Sequence, residues 1–205
     1  MIFLRYESFR GFLKLYPVTS ALISANLIMF ILTMLNGGST NPETLYRFGA
    51  LYPPLMDGMS DMWRLVGAMF LHAGFDHLLF NMFALVVFAP PLERVFGSMR
   101  YGIFYFLCGI AGSVLSLTML ANVLSVGASG AIYGFYGAYL YLILFRKQAL
   151  DPSSRKTIQI ILGIGIVYSI IVPQVNIWGH LGGFIAGFLL FPSFIRRLKK
   201  PPQSG

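Results

Sequence analysis

The sequence predicts an all-α membrane protein, a bundle of six transmembrane helices with both termini on the cytoplasmic side. Three observations carry that prediction. Only 11% of the 205 residues are charged, and the mean hydropathy of +0.73 is far above that of a soluble globular domain. The apolar residues gather in six long runs, each about the length a helix needs to cross the hydrocarbon core. The basic residues cluster between those runs on one side, so orientation accounts for the net charge of +8 better than nucleic-acid binding does. A closed barrel would need short alternating strands, and none occur.

Residues 1–16 form a basic cytoplasmic segment carrying Arg5, Arg10 and Lys14. The first span, 18–35, is longer than a signal-peptide core and is followed by no small-x-small cleavage site. It is therefore expected to be an uncleaved anchor. The connection 36–76 is long for a helix connector, and such loops often have a function. It holds Glu43, Asp57, Asp61 and Asp76 and the prolines 42, 53 and 54. Trp63 beside Arg64 has the character of an interfacial anchor or a headgroup marker. The remaining spans are expected at 77–95, 101–121, 128–145, 157–172 and 177–195. Together 17–196 make one domain, followed by a basic, disordered tail, 197–205.

Orientation follows from counting. Arg94 and Arg100 lie between spans two and three, and Arg146, Lys147, Arg155 and Lys156 between spans four and five. Arg196, Arg197, Lys199 and Lys200 follow span six. Only Arg47 and Arg64 fall on the other side. The positive-inside rule then makes the 36–76 loop external. The single Cys108 lies within a span, where it packs and forms no intramolecular disulfide.

Polar residues in such a chain are costly without partners. Ser129 precedes the inner Arg146 by 17 residues, about 25 Å of helix, and His180 precedes Arg196 by 16, about 24 Å. His77 precedes Arg94 by 17, so the three lie at one depth toward the outer leaflet. Asn81 follows His77 by one turn on the same face. The chemistry fits nucleophilic acyl transfer. An imidazole takes the serine proton, and the oxyanion formed on attack needs preplaced donors. Ser129 at a helix N-terminus has free backbone N–H groups for that charge, and His77 and Asn81 can add side-chain donors. Glycine stripes bring the helices close: Gly179, Gly183 and Gly187 on span six, and Gly130, Gly134 and Ala138 on span four. Tyr133, one turn after Ser129, can lie under the imidazole.

Each residue alone has a plainer reading. Serine among small residues is usually helix-packing glue, a lone membrane histidine can bond a carbonyl, and Gly127-Ala128-Ser129-Gly130 is not the hydrolase elbow. The case rests on convergence. A zinc protease of the HExxH type fits worse because that pattern is absent, and an intramembrane aspartyl protease because the spans hold no pair of carboxylates. A proton-coupled transporter would carry a midplane carboxylate.

The ordered set His77-x-x-x-Asn81, Gly127-Ala128-Ser129-Gly130, Tyr133 and His180-x-x-Gly183-x-x-x-Gly187 resembles the rhomboid family of intramembrane serine proteases. The likeness covers roughly residues 60–195, and the Trp63-Arg64 pair looks like the family's first external loop. The resemblance implies a rhomboid-like bundle with Ser129 as nucleophile and His180 as general base. His77, Asn81 and the Ser129 amide become the oxyanion hole, with no metal and no cofactor. It implies membrane-protein substrates cleaved in or near the bilayer, and no nucleic-acid partner. The charge bias suggests a bacterial plasma membrane, with an organelle the alternative. Two other readings stand beside it: an inactive relative that binds membrane helices, and a small facilitator whose Ser129 and histidines line a pore. The external connection Pro173-Gln174-Val175-Asn176 is the expected cover of the site, and span five its expected lateral gate.

Overall fold

The computed structural model describes residues 2–172 and 175–195. Each of the six apolar runs is a helix. These are α2 (Pro17–Leu35), α5 (Phe75–Phe96), α6 (Ser98–Met119), α7 (Ser129–Phe145), α8 (Pro152–Ile171) and α9 (Ile177–Phe194). Three shorter helices are α1 (Phe9–Leu15), α3 (Pro42–Phe48) and α4 (Arg64–Gly67). Five of the six apolar helices are long and apolar enough to cross a membrane. The 17 residues of α7 make a shorter apolar helix, about 26 Å long.

The largest departure from the expected boundaries is at the start of α8. Asp151 caps that helix through the Ser154 amide and Pro152 occupies its first turn, five residues before the expected 157. Arg155 and Lys156 therefore lie inside the helix, which runs on past the apolar stretch. Residues 196–205, which hold the last basic cluster and the expected tail, lie outside the described residues, as do Pro173 and Gln174 of the expected cover.

Helices α6, α7 and α9 form the centre, and glycine is what lets them. A Cβ added at Gly183 would stand 1.8 Å from the Gly130 carbonyl oxygen, and one at Gly187 would stand 1.9 Å from that of Gly134. The α7 stripe continues through Gly137, where a Cβ would meet the Phe184 carbonyl at 2.1 Å. On the other flank a Cβ at Gly112 of α6 would meet the Gly179 carbonyl at 2.5 Å. The three backbones thus touch directly. Cys108 is buried and packs beside Gly134.

At the end carrying the basic clusters, Glu93 of α5 is almost fully buried. Its carboxylate accepts from the Val18 and Thr19 amides and from the Thr19 hydroxyl, at 3.0, 2.9 and 2.7 Å. Tyr16 gives α2 no side-chain cap, so this distant carboxylate satisfies the helix start and its dipole instead. The N-terminal segment folds back there, with Phe3 set edge-on between Phe88 and Tyr139.

At the opposite end the 36–76 loop is folded around Arg64. Its guanidinium is buried, bonds Asp61 at 2.6 Å and the Tyr46 carbonyl at 2.5 Å, and stacks over Tyr46. The Asp57 amide, and then Arg64, hold the Asp61 carboxyl below the usual range. Trp63 is half-exposed, with one edge against Gly49 and Gly67, so it both packs and faces outward. A pair of backbone bonds between Leu51 and Ser125 ties this loop to the segment leading into α7.

Candidate active site

The residues singled out in the sequence meet at the loop end of the central helices. Ser129 is the first residue of α7. The turn before it depends on Gly127, which has φ +121°, a left-handed conformation suited to glycine. Its amide donates to the Ala68 carbonyl at 2.9 Å, fixing the turn against the folded loop. A Cβ at this position would lie 2.7 Å from His77 Nε2 and 3.6 Å from Ser129 Oγ. Only a glycine leaves room for the imidazole of His77 and the serine hydroxyl to approach one α-carbon from two sides.

His180 lies in the first turn of α9, whose start is capped by Asn176 accepting from the Gly179 amide at 2.8 Å. The imidazole is buried, and it stacks flat on Tyr133 with ring centroids 3.8 Å apart and planes 13° from parallel. Its Nδ1 lies 2.8 Å from the hydroxyl of Ser169, on α8. Gly130 and Gly183 set how close α9 comes to α7 at this level, because their backbones are in contact.

Ser129 and His180 line one cavity together with Gly127, Ser125, Ser116 and Asn176. Its volume is about 30 Å³, room for a few water molecules and far less than a peptide needs. Asn176 closes one side by donating to Ser116 and Ser125, at 2.6 and 3.0 Å. Half of the expected cover, Asn176 with its bonds to α6 and to the α7 turn, is thus seen at the cavity wall.

His77 and Asn81 stand on α5. His77 reaches the site beside Gly127, whereas the Asn81 side chain is buried one turn below and donates to the His77 carbonyl at 2.8 Å. That bond uses one of the two amide hydrogens of Asn81 and leaves the other. Behind His77 lies His72, fully buried, its ring edge-on to that of His77 at 5.0 Å. Burial pushes His72 down to about 3, and the neighbouring His77 acts in the same direction, so this ring is neutral at ordinary pH.

Ser169, Ser116 and Ser125 are site residues that spacing alone does not reveal. Ser169 is a small polar residue between Tyr168 and Ile170 near the end of α8, and its cost in lipid is the one signal it leaves in the sequence.

Comparison with known proteins identifies the family. The family model of the rhomboid domain matches residues 59–197. The chain is 36% identical over 200 residues to the putative rhomboid protease YdcA of Bacillus subtilis, covering 97% of this chain and 98% of that protein. It is 38% identical over 170 residues to the rhomboid protease GluP of the same organism, covering 83% of this chain but 33% of that one. It is 39% identical over 165 residues to the mitochondrial RHOMBOID-like protein 6 of Arabidopsis thaliana, covering 80% and 52%. The chain therefore spans nearly all of one relative, a third of the second and about half of the third. With its run of apolar helices, its glycine-packed centre and this match, the chain is a multi-pass integral membrane protein that belongs to the rhomboid family.

Proposed function

We propose that the protein is an intramembrane serine endopeptidase that cleaves peptide bonds in or near the transmembrane segments of other membrane proteins. The observation that carries this is the shared cavity of Ser129 and His180, with the imidazole held flat by Tyr133. His180 Nε2 takes the Ser129 hydroxyl proton as Oγ attacks the scissile carbonyl carbon. The resulting oxyanion is received by the Ser129 amide, His77 and the free amide hydrogen of Asn81. His180 returns the proton to the leaving nitrogen as the C–N bond breaks. Water then attacks the acyl group on Ser129, with His180 again the base. No carboxylate and no cofactor enters these steps.

In this reading all six apolar helices span the bilayer and both termini are cytoplasmic. The site then opens outward, in a bacterial plasma membrane. Polar groups at the loop end of α6, α7 and α9, and a cavity sized for water, support an outward route for the hydrolytic water. A continuous pore has no support in a cavity of this size, and nothing in the dyad favours an inactive binder.

The test is covalent. A fluorophosphonate or isocoumarin applied to the protein in detergent or lipid is expected to modify Ser129, located by peptide mapping. Labelling should vanish in Ser129→Ala and drop sharply in His180→Ala. Equal labelling of wild type and Ser129→Ala would overturn the assignment.

A further inference from the structure

Four oxygen and nitrogen atoms crowd together behind His180. Ser169 Oγ lies 2.8 Å from His180 Nδ1, 2.6 Å from the Tyr133 hydroxyl and 2.9 Å from the Gly165 carbonyl oxygen. The Tyr133 hydroxyl is also 2.7 Å from that carbonyl. All four contacts are short enough to need a proton between their atoms. Ser169 and Tyr133 have one each, and the carbonyl has none. If Nδ1 were bare, two protons would serve four contacts, leaving at least one contact with lone pairs face to face below 3 Å. If Nδ1 carries a hydrogen, every contact is served. His180 donates to Ser169, Ser169 donates to Gly165, and the one Tyr133 hydrogen is shared between Ser169 Oγ and the Gly165 carbonyl oxygen.

We propose that Ser169 is a positioning residue that holds His180 in the tautomer with hydrogen on Nδ1, leaving Nε2 bare to take the Ser129 proton. This rests on the dyad reading above and assigns a further residue to it. The serine does for this imidazole what a buried carboxylate does in a triad, with a neutral acceptor in place of a charged one. It also stabilises the imidazolium formed when Ser129 is deprotonated, since the bond that Nδ1–H donates to Ser169 Oγ is stronger when the imidazole donor is charged.

The placement of Ser169 adds a consequence. It stands two residues before the end of α8, and α8 is only 17% buried against 56% for α5. The base is therefore oriented by the most weakly held of the apolar helices compared. When α8 moves aside to admit a substrate, His180 loses its Nδ1 acceptor, and when α8 returns, the acceptor returns with it. Substrate entry and arming of the base become one movement.

The experiment uses the full chain in lipid nanodiscs. Side-chain ¹⁵N spectra of His180, separated from His72 and His77 by substitution, read the tautomer directly and need no activity. The wild type is expected to show hydrogen on Nδ1, and Ser169→Ala a rise of the Nε2–H form. In cleavage of a transmembrane peptide, Ser169→Ala is expected to lower kcat by about 10–100-fold with KM little changed, the effect of one lost hydrogen bond to a charged group. Ser169→Thr, which keeps the hydroxyl, should restore both spectrum and kcat. An Nε2–H tautomer in the wild type would overturn the proposal. So would a loss in Ser169→Ala that threonine does not restore while the tautomer stays fixed, which would make Ser169 a packing residue. Failure of Ser129 to label with a fluorophosphonate would instead remove the dyad and leave the spectrum to judge Ser169 alone.

Discussion

Alanine at Gly183 should cost this protein most of its activity, and the structure sets the size. The added Cβ would stand 1.8 Å from the Gly130 carbonyl oxygen, whereas such atoms are not found nearer than 3.0 Å. Helices α7 and α9 must therefore part by at least about 1.2 Å at this level. The obstacle is backbone on both sides, so no side chain can turn away to absorb it. Gly130 adjoins Ser129, and Gly183 is three residues past His180, so the displacement falls on the dyad itself. A misplacement near 1 Å costs about a hundredfold in rate, or about 2.7 kcal/mol of barrier. Overpacking a well-filled core also costs about 1–3 kcal/mol of stability. The assay is therefore twofold: kcat/KM on a transmembrane peptide, and retention of fold by thermal or SDS titration at the assay temperature. Gly163→Ala is the control, because a Cβ there meets nothing within 4 Å. It should leave activity intact and add slightly to helix stability. If Gly183→Ala folds and cleaves like wild type, direct backbone contact does not set the dyad, and the argument from the glycine stripe fails.

Three further outcomes follow from the same geometry. Asn81→Ala and His77→Ala should each lower kcat by about 10²–10³ with a smaller effect on KM, since their donors act on the developing oxyanion. Unchanged kinetics in both would leave them as structural residues. His72 binds its proton only near 3 when folded but near 6.5 when unfolded, so wild-type stability falls as pH drops through that window. The stability difference between His72→Phe and wild type should therefore grow by about 1.4 kcal/mol per pH unit below 6.5. A difference independent of pH would show that His72 titrates normally. Last, a cross-link joining the loop ends of α5 and α8 should slow cleavage of a transmembrane substrate while a small soluble probe still labels Ser129. Cys108 is buried, so introduced thiols can be joined selectively. Undiminished turnover of the membrane substrate would refute lateral entry beside α8.

The helices were legible because lipid allows so few solutions: apolar runs of spanning length must be helical, and all six are. The start of α8 was misjudged for the same reason. Arg155 and Lys156 end a hydropathy window, but they do not end a helix that Asp151 and Pro152 have already begun. At the site, Ser129, His180 and Tyr133 could be paired from depth along the chain, because depth is one-dimensional. Neighbours across the bundle are not, which is why Ser169 escaped notice and Gly137 was missed beside Ala138. Glu93 illustrates the same limit. Its place in the sequence is near the end of a span, and its partners are the first amides of α2, 74 and 75 residues away.

Under the proposed function, a hydrolase in lipid faces two opposed demands, and the packing offers different helices for each. Hydroxyl, imidazole and oxyanion donors must be held to fractions of an ångström, yet a substrate helix must be let in from the side. Backbone contact through Gly112, Gly130, Gly183 and Gly187 meets the first demand, since it leaves α6, α7 and α9 almost no slack. On the proposed reading the second falls to α8, whose outward face is lined by exposed Ile164, Val167, Ile170 and Ile171 and which bonds the centre through Gly165 and Ser169. Lipid replaces lipid-facing contacts at little cost, so moving α8 sacrifices few interactions that the bilayer does not resupply. At the loop end the polar bonds of Gly165 and Ser169 are exceptions, and they are the ones that end at His180 and Tyr133. The helix best suited to move is thus the one whose displacement the base would register.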